Sequence, residues 1–555
     1  MSRHYFNPKT IVSDTIAGFT LGIESIPDAM ASALLAAVNP IQGVYAVMLS
    51  TPVGALFASS VFMSVQTTSA MSLIVASVPQ VRGEDGIAAL LALAIVTGIL
   101  MVVFGLLKFG SLLRFVPHSV MTGFLNGIAI LIILGQLGNL TGYDTQGGNK
   151  IAQTVDLFRN LDQVDLRTLV IGILTILLIV TLEKTRLKSF GIVVALMVAS
   201  LLVPALGWDS VATVADIAEI PDSLPRPTLP PLSILPSLLI PAFSLALVGL
   251  IQGAGVSQNY TNPNGKYPDP SGDFTGQGAA NIAAGIFQGM PVGGSLSATA
   301  LVKSSGAKSR FANIFAGITI AVALLLFGGA ISAIAMPALA GLLIVVGFGT
   351  LKIDDIRMVW QTGSIQQAVL LITFGLTLLV PLQYAVIFGM ALAILMFVVD
   401  QSNKITIKEW VWQDGQLPIE KEAPAVVEPD KVTLLVPLGS LFFAAATTFE
   451  EQLPKLDEDT RNAVVIIDLR GKTELGSTLL GVLERYSQDL EKHESKLLLA
   501  GITPDAKNVL EDTGQINTYG RDNIFVATEV VHESMLTACH EGEKWISQNL
   551  AEGEE

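Results

Sequence analysis

The chain has 555 residues, 51% of them hydrophobic and 14% charged, with a mean hydropathy of +0.60. A soluble domain carries about a quarter charged residues, so this composition excludes an ordinary water-soluble enzyme. The net charge of −15 is concentrated: residues 1–399 hold 18 basic and 18 acidic side chains, residues 400–555 hold 14 and 29, and the chain therefore divides into a neutral apolar part and an acidic soluble tail.

In chain order, the polar start MSRHYFNPKT leads into an apolar stretch without a small-residue cleavage site, which reads as a first transmembrane helix and not a removable leader. Apolar segments are predicted at 12–35, 43–62, 67–78, 86–107, 119–138, 167–183, 190–206, 236–258, 275–289, 294–303, 311–330, 332–347, 366–380 and 382–399. Segments 67–78 and 294–303 are too short to span a bilayer, and they take the third and tenth places among the fourteen. Each is therefore third in a set of seven. Interrupted segments at matching places in two halves point to a transporter built from inverted repeats, about 12–206 and 236–399.

The two short segments open with Gln66-Thr67-Thr68-Ser69-Ala70-Met71-Ser72 and Pro291-Val292-Gly293-Gly294-Ser295-Leu296-Ser297-Ala298-Thr299. A helix that begins in mid-membrane leaves its first N–H groups unpaired and partly positive, so that end attracts anions. Two such ends facing each other would cradle an anion without Lys or Arg. The competing reading is that the small residues only mediate close helix packing.

Glu24 and Asp28 stand four apart in the first predicted helix, on one face, with Pro27 between them. Ionisable groups within a span are costly and face a cavity or a partner, which makes this pair a candidate for ion coupling. Gln252 in the eighth segment joins them as a neutral candidate, although a packing hydrogen bond accounts for it equally well.

Basic residues test the topology. With the N-terminus inside, fifteen fall on the cytoplasmic side, among them Arg3, Lys9, Arg114, Arg186, Lys188 and Lys352. Only Arg82, Lys150, Arg159, Arg167 and Arg226 fall outside. This satisfies the positive-inside rule and places the tail in the cytoplasm.

Residues 400–431, with Pro418, Pro424 and Pro429, read as a linker, residues 432–547 as a small α/β domain and residues 548–555 as an acidic tail. Within the domain, KVTLLVPLGS, NAVVIIDLRG, KLLLAGI and NIFVA are predicted strands, STLLGVLERYSQDLEKHE and TPDAKNVLED are predicted helices, and a last helix starts from Thr528. One cysteine, Cys539, and five scattered histidines supply no metal-ligand spacing, and no catalytic residue, metal or cofactor is expected.

Asp14-Thr15-Ile16-Ala17-Gly18, Ile26-Pro27-Asp28-Ala29-Met30-Ala31 and Gln42-Gly43-Val44-Tyr45 together resemble the opening signature of the SulP family of anion transporters. Phe115-Val116-Pro117-His118 through Phe124 resembles its fifth helix, and Gly278-Ala279-Ala280-Asn281 through Gly294-Ser295-Leu296-Ser297 its ninth and tenth. Val465-Ile466-Ile467-Asp468-Leu469 with Gly476-Ser477-Thr478 resembles the family's STAS domain. The resemblance implies a polytopic α-helical membrane protein of seven plus seven inverted segments, with core and gate domains, a cytoplasmic STAS domain and a homodimeric assembly. It implies substrate contacts at Thr68, Ser69, Ala70, Ser295, Leu296 and Ser297, while Asp28, Glu24 and Gln252 stay coupling candidates on the strength of their place within the spans alone.

Three departures stand out against the family: Asp28 where many members have Gln, Gln252 near which they have Glu or Asp, and Ala298 where they have Arg. The expected function is secondary transport of a small anion such as sulfate or bicarbonate, by symport with H⁺ or with a Na⁺ held near Asp28. An exchanger or uniporter, a nucleobase carrier of the same fold, and a membrane protein signalling through its STAS domain are the alternatives. The expected partners are the anion, the lipid bilayer of a bacterial inner membrane, a second copy of the chain, and a regulatory protein or nucleotide at the STAS domain, with no role for nucleic acid.

Overall fold

The computed structural model describes residues 10–83, 86–110, 117–185, 187, 190–217, 223–412, 417–472 and 475–553. Arg3, Lys9, Arg114, Arg186 and Lys188 of the charge pattern, Phe115 and Val116 of the fifth-helix motif, and the last two residues of the acidic tail lie outside them. The chain forms two compact units, Met1–Ala393 and Ile394–Glu555.

The first set of elements is α1 (Ile11–Leu35), α2 (Pro40–Phe57), β1 (Ser64–Gln66), α3 (Ser69–Ala76), α4 (Gly86–Leu106), α5 (His118–Thr141), α6 (Lys150–Arg159), α7 (Leu166–Glu183) and α8 (Phe190–Ala205). The second set repeats that order: α9 (Leu239–Asn259), α10 (Pro270–Ile286), β2 (Gly293–Ser295), α11 (Leu296–Ser304), α12 (Phe311–Ser332), α13 (Met336–Thr350), α14 (Ile353–Thr362), α15 (Ser364–Leu379) and α16 (Leu382–Ser402). Among the described residues, seven helices are long and apolar enough to cross a membrane, and 190–205, 364–379 and 387–402 are shorter apolar helices. The ten-residue helices α6 and α14 were not legible as spans. They are amphipathic and sit at the same place in each set, after its fifth helix.

Packing pairs exchange between the sets as a two-fold relation requires. Helix α1 packs on α12 and α9 on α4, α2 on α12 and α10 on α4, α5 on α15 and α13 on α7, while α5 and α13 pack on each other. Helices α1–α4 and α9–α12 thus form one body, the core, and α5, α7, α8, α13 and α15 a second, the gate. Close approach depends on glycine. A Cβ on Gly18 would come 2.4 Å from the Ala312 carbonyl oxygen, and Gly98 and Gly278 oppose each other so that a Cβ on either would lie 2.6 Å from the other's carbonyl oxygen. Helix starts follow local chemistry: Asn39 and Asp269 cap α2 and α10 by accepting from Ile41 and from Ser271 and Gly272, each ahead of a proline at the first helical position.

The second unit contains β3 (Thr406–Val411), β4 (Ile419–Glu422), β5 (Val432–Leu438), α17 (Ala446–Gln452), β6 (Val464–Asp468), α18 (Ser477–Lys492), β7 (Lys496–Ile502), α19 (Pro504–Asp512), α20 (Gln515–Tyr519), β8 (Ile524–Val526) and α21 (Glu533–Gly553). Its sheet has the order β4-β3-β5-β6-β7-β8, parallel from β5 to β8 and antiparallel at β3 and β4. One face buries Leu435, Val465, Ile467 and Leu499 against Phe449 of α17 and Leu479 and Leu483 of α18. The other buries Leu434, Ile466 and Leu498 against Met535 and Ala538 of α21.

The expected linker is corrected here. Residues 406–411 and 419–422 are strands of the sheet, a hairpin whose β3 pairs with β5. The apolar alternation that would announce β3 is hidden because Glu409 occupies an inward position, 8% exposed, with Lys431 at 3.8 Å. The last helix starts at Glu533 rather than Thr528, after His532 adopts φ +69°.

Candidate functional site

Each short helix is preceded by a three-residue strand, and β1 pairs antiparallel with β2: Ser64 opposite Ser295, Val65 opposite Gly294, Gln66 opposite Gly293. The chains leave this small sheet in opposite directions into α3 and α11. The N-termini of the two short helices are thereby held on either side of one two-stranded clasp.

Both starts are capped. Thr68 accepts from the Met71 N–H at 3.4 Å and donates its hydroxyl proton to Gln252 Oε1 of α9 at 3.1 Å. Ser295 accepts from the Ala298 N–H at 3.2 Å and lies 3.1 Å from the Ser297 hydroxyl. The caps leave the N–H groups of Ser69 and Ala70, and of Leu296 and Ser297, as first-turn donors without intrahelical acceptors. Ser69 is half-buried, Ala70 buried, and Leu296 and Ser297 are exposed, Leu296 at 44%. The six substrate-contact residues expected from sequence therefore cluster at the two helix starts, and Gln252 bridges toward them. Gly293 permits this: a Cβ there would lie 2.7 Å from Met71 Sδ and 2.9 Å from Gln252 Oε1.

Extended backbone in mid-membrane needs every polar group satisfied. On the β1 side, the Ser50 and Thr51 hydroxyls of α2 donate to the Val65 carbonyl at 2.8 and 3.1 Å. Asn313 of α12 accepts from the Ser64 hydroxyl at 2.6 Å and donates to the Met63 carbonyl at 3.1 Å. On the β2 side, Asn281 of α10 clasps Val292, donating to its carbonyl at 2.7 Å and accepting from its N–H at 2.9 Å. Gln277 accepts from the Gly294 N–H at 2.9 Å. Sequence reasoning missed Gln277, Asn281 and Asn313 as builders of the site. A buried amide in an apolar helix was the available signal, and it does not reveal which backbone the amide will hold.

The first helix joins the site through Ser25, whose hydroxyl accepts from Gln66 Nε2 at 2.8 Å. Its neighbour Glu24 is half-buried with one carboxylate oxygen unpartnered, within electrostatic reach of Asp28 and Glu183. Asp28 is also half-buried, and among the described residues neither carboxylate makes an ion pair and no hydrogen bond joins Asp28 to a cap. Asp14, part of the opening signature, has a different place. It is 1% exposed and accepts from the Lys308 and Ser309 N–H groups at 2.7 and 3.0 Å, tying α1 to the start of α12. Ala298 packs in an apolar cluster with Ala17, Leu21, Phe62 and Val302. The nearby cation on α11, Lys303, rests over the Phe62 ring at 3.7 Å.

The site thus gathers two helix N-termini, hydroxyls and one amide, with no ion-paired cation among the described residues that form it and two carboxylates on α1, which packs against both short helices. It can hold an anion through backbone donors and exchange it with water on the side where Leu296 and Ser297 are exposed.

The chain is similar to known proteins over most of its length. Sulfate transporter 4.1 of Arabidopsis thaliana, a chloroplastic protein, is 25% identical over 557 residues, covering 94% of this chain and 79% of its own. The structure of murine Slc26a9, an anion transporter in the inward-facing state, matches 96% of this chain and 92% of its own with a TM-score of 0.83 at 18% identity. The transmembrane domain of the cyanobacterium bicarbonate transporter BicA matches 70% of this chain and 98% of its own, with a TM-score of 0.59 at 20% identity. A family model for the sulfate permease family matches residues 11–373, and one for the STAS domain matches residues 423–525. With the larger part of its length matched, the chain belongs to the sulfate permease family, a family of transporters and not of enzymes, and carries a STAS domain.

Proposed function

We propose that this protein is a secondary transporter of a small oxyanion, sulfate or bicarbonate, working by alternating access of the core against the gate. The observation that carries the reading is the antiparallel β1–β2 clasp, which brings two capped helix N-termini to its two sides. The relatives' printed names, a sulfate transporter and a bicarbonate transporter, support this substrate class. The membrane is the inner membrane of a bacterium, with the STAS domain in the cytoplasm as a regulatory module and the assembly a homodimer.

Coupling is by symport with H⁺ or Na⁺. An ionised Asp28 near a bound anion would repel it, and in a partly dehydrated cavity the penalty exceeds that in water. The absence of an ion pair on Glu24 and Asp28 among the described residues supports a role in which the carboxylates gain a cation when the anion arrives. The experiment is uptake of labelled sulfate and bicarbonate into proteoliposomes under imposed proton and Na⁺ gradients, with wild type and Asp28→Asn. One gradient drives accumulation in wild type, and the variant loses that drive while still exchanging the anion. Wild-type uptake indifferent to both gradients would refute symport, and no flux for any anion in folded protein would refute transport.

A further inference from the structure

The clasp strands β1 and β2 and the short helices α3 and α11 together contain one basic side chain, Lys303, in the last turn of α11. Leu296, Ala300 and Lys303, spaced by four and then three residues, line one side of that helix and are exposed or half-buried. Ala298, Thr299 and Val302 on the opposite side are buried. The stripe thus runs from the exposed edge of the site to the lysine, about 10 Å along the helix axis. Its far end lies where α1 begins, because the Ser13 hydroxyl donates to the Gly306 carbonyl at 2.5 Å.

The ammonium is held toward the clasp. It lies 3.7 Å from the centre of the Phe62 ring, whose negative face attracts a cation. Phe62 stands two residues before Ser64, and Ser64 pairs with Ser295, the cap of α11. The ring is itself fixed, 3% exposed and packed with Ala17, Leu21, Ala298 and Val302. Among the described residues Lys303 makes no ion pair. The carboxylate of Asp14 on α1 is engaged by the Lys308 and Ser309 N–H groups and by the Ser309 hydroxyl. A ring positions a cation without cancelling its charge, as a carboxylate would. Coulomb energy scales with the product of the charges, so a fixed unit positive charge about 10 Å from the α11 start favours a dianion twice as strongly, in free energy, as a monoanion.

We propose that Lys303 is a specificity-determining residue, whose ring-held ammonium biases the clasp toward doubly charged anions such as sulfate over singly charged ones such as bicarbonate. The proposal rests on the transport reading above and names the anion charge that the same site prefers. A lysine in a last helical turn also complements the helix dipole, but that role is indifferent to the charge of the bound anion.

The test is the equilibrium affinity of the purified full-length protein for sulfate and for bicarbonate at pH 8, at low ionic strength and at about 0.5 M gluconate salt. In Lys303→Gln, bicarbonate affinity should fall about threefold and sulfate affinity about ninefold, because doubling the charge squares the factor. Both losses shrink at high salt, and Lys303→Arg binds as wild type. Lys303→Cys in a Cys539→Ala background adds a test on protein already folded. A thiosulfonate reagent bearing trimethylammonium restores the preference for sulfate, and one bearing sulfonate deepens its loss. Equal fold-losses for the two anions in Lys303→Gln, or none, would overturn the proposal. An introduced thiol that neither reagent reaches would overturn it too, since the stripe would then not open to water. Wild type that binds neither anion would instead overturn the reading of the clasp as the anion site, and the proposal with it.

Discussion

The α3 and α11 sides of the clasp reach the same backbone geometry by different chemistry. On the β1 side, hydroxyls of α2 and an amide of α12 satisfy the extended chain, and the Thr68 cap is tied to α9 through Gln252. On the β2 side, two amides of α10 do the holding, and the Ser295 cap turns to its own helix at Ser297, beside the exposed Leu296. The shared feature is the placement of two capped helix starts. What differs is how redundantly each is secured, and this asymmetry has measurable consequences.

The β2 side depends on single side chains. Asn281→Ala strips both the N–H and the carbonyl of Val292 of their partners in a buried setting, a loss of about 2–4 kcal/mol. A large fall in thermal stability in detergent, with anion binding lost at the temperature where wild type still binds, is the expected outcome. Gln252→Leu comes next. It frees the Thr68 hydroxyl and alters the rim without touching the fold, so anion affinity should fall about tenfold, or about 1.4 kcal/mol, with thermal stability near that of wild type. On the redundant β1 side, Ser50→Ala removes one of two hydroxyls on the Val65 carbonyl and should cost about 0.5–1 kcal/mol. Equal losses in Ser50→Ala and Asn281→Ala would erase the distinction between the two sides.

The smallest effect belongs to the STAS unit. Burial, with Glu543 and Asp468 adding to it, pushes the Cys539 thiol up to about 12. Its neutral form therefore persists well above pH 8, and iodoacetamide at pH 8 should label folded protein far more slowly than unfolded protein, as followed by mass spectrometry. Comparable labelling in both states would contradict the burial.

The clasp was half legible in the sequence. Segment length and the Thr68-Ser69 and Ser295-Leu296-Ser297 clusters announced two interrupted helices at matching places, because bilayer thickness makes a short apolar segment conspicuous. The strands Ser64–Gln66 and Gly293–Ser295 were not announced, since three residues are too few to show a period. Asn281 and Asn313 were invisible as holders because their partners are distant backbone groups. In the STAS unit, Thr503-Pro504 marked the start of α19 correctly, with Thr503 accepting from the Ala506 N–H at 3.2 Å. Strand β3 stayed hidden behind its inward Glu409.

The central claim is that backbone N–H groups at the two helix starts hold the anion, and proline at the first helical position tests it with little disturbance. Ser69 and Leu296 occupy that position, and the preceding Thr68 (φ −131°, ψ 147°) and Ser295 (φ −93°, ψ 119°) already adopt the extended conformation that proline demands of its predecessor. Ser69→Pro and Leu296→Pro each delete one donor and should preserve the helix, with Ser69→Ala and Leu296→Ala as controls for the lost side chains. The measurement is the equilibrium affinity of the purified protein for sulfate and bicarbonate. The account predicts that each proline variant binds about tenfold more weakly than its alanine control while unfolding at a similar temperature. Proline variants that bind as tightly as their alanine controls would contradict it.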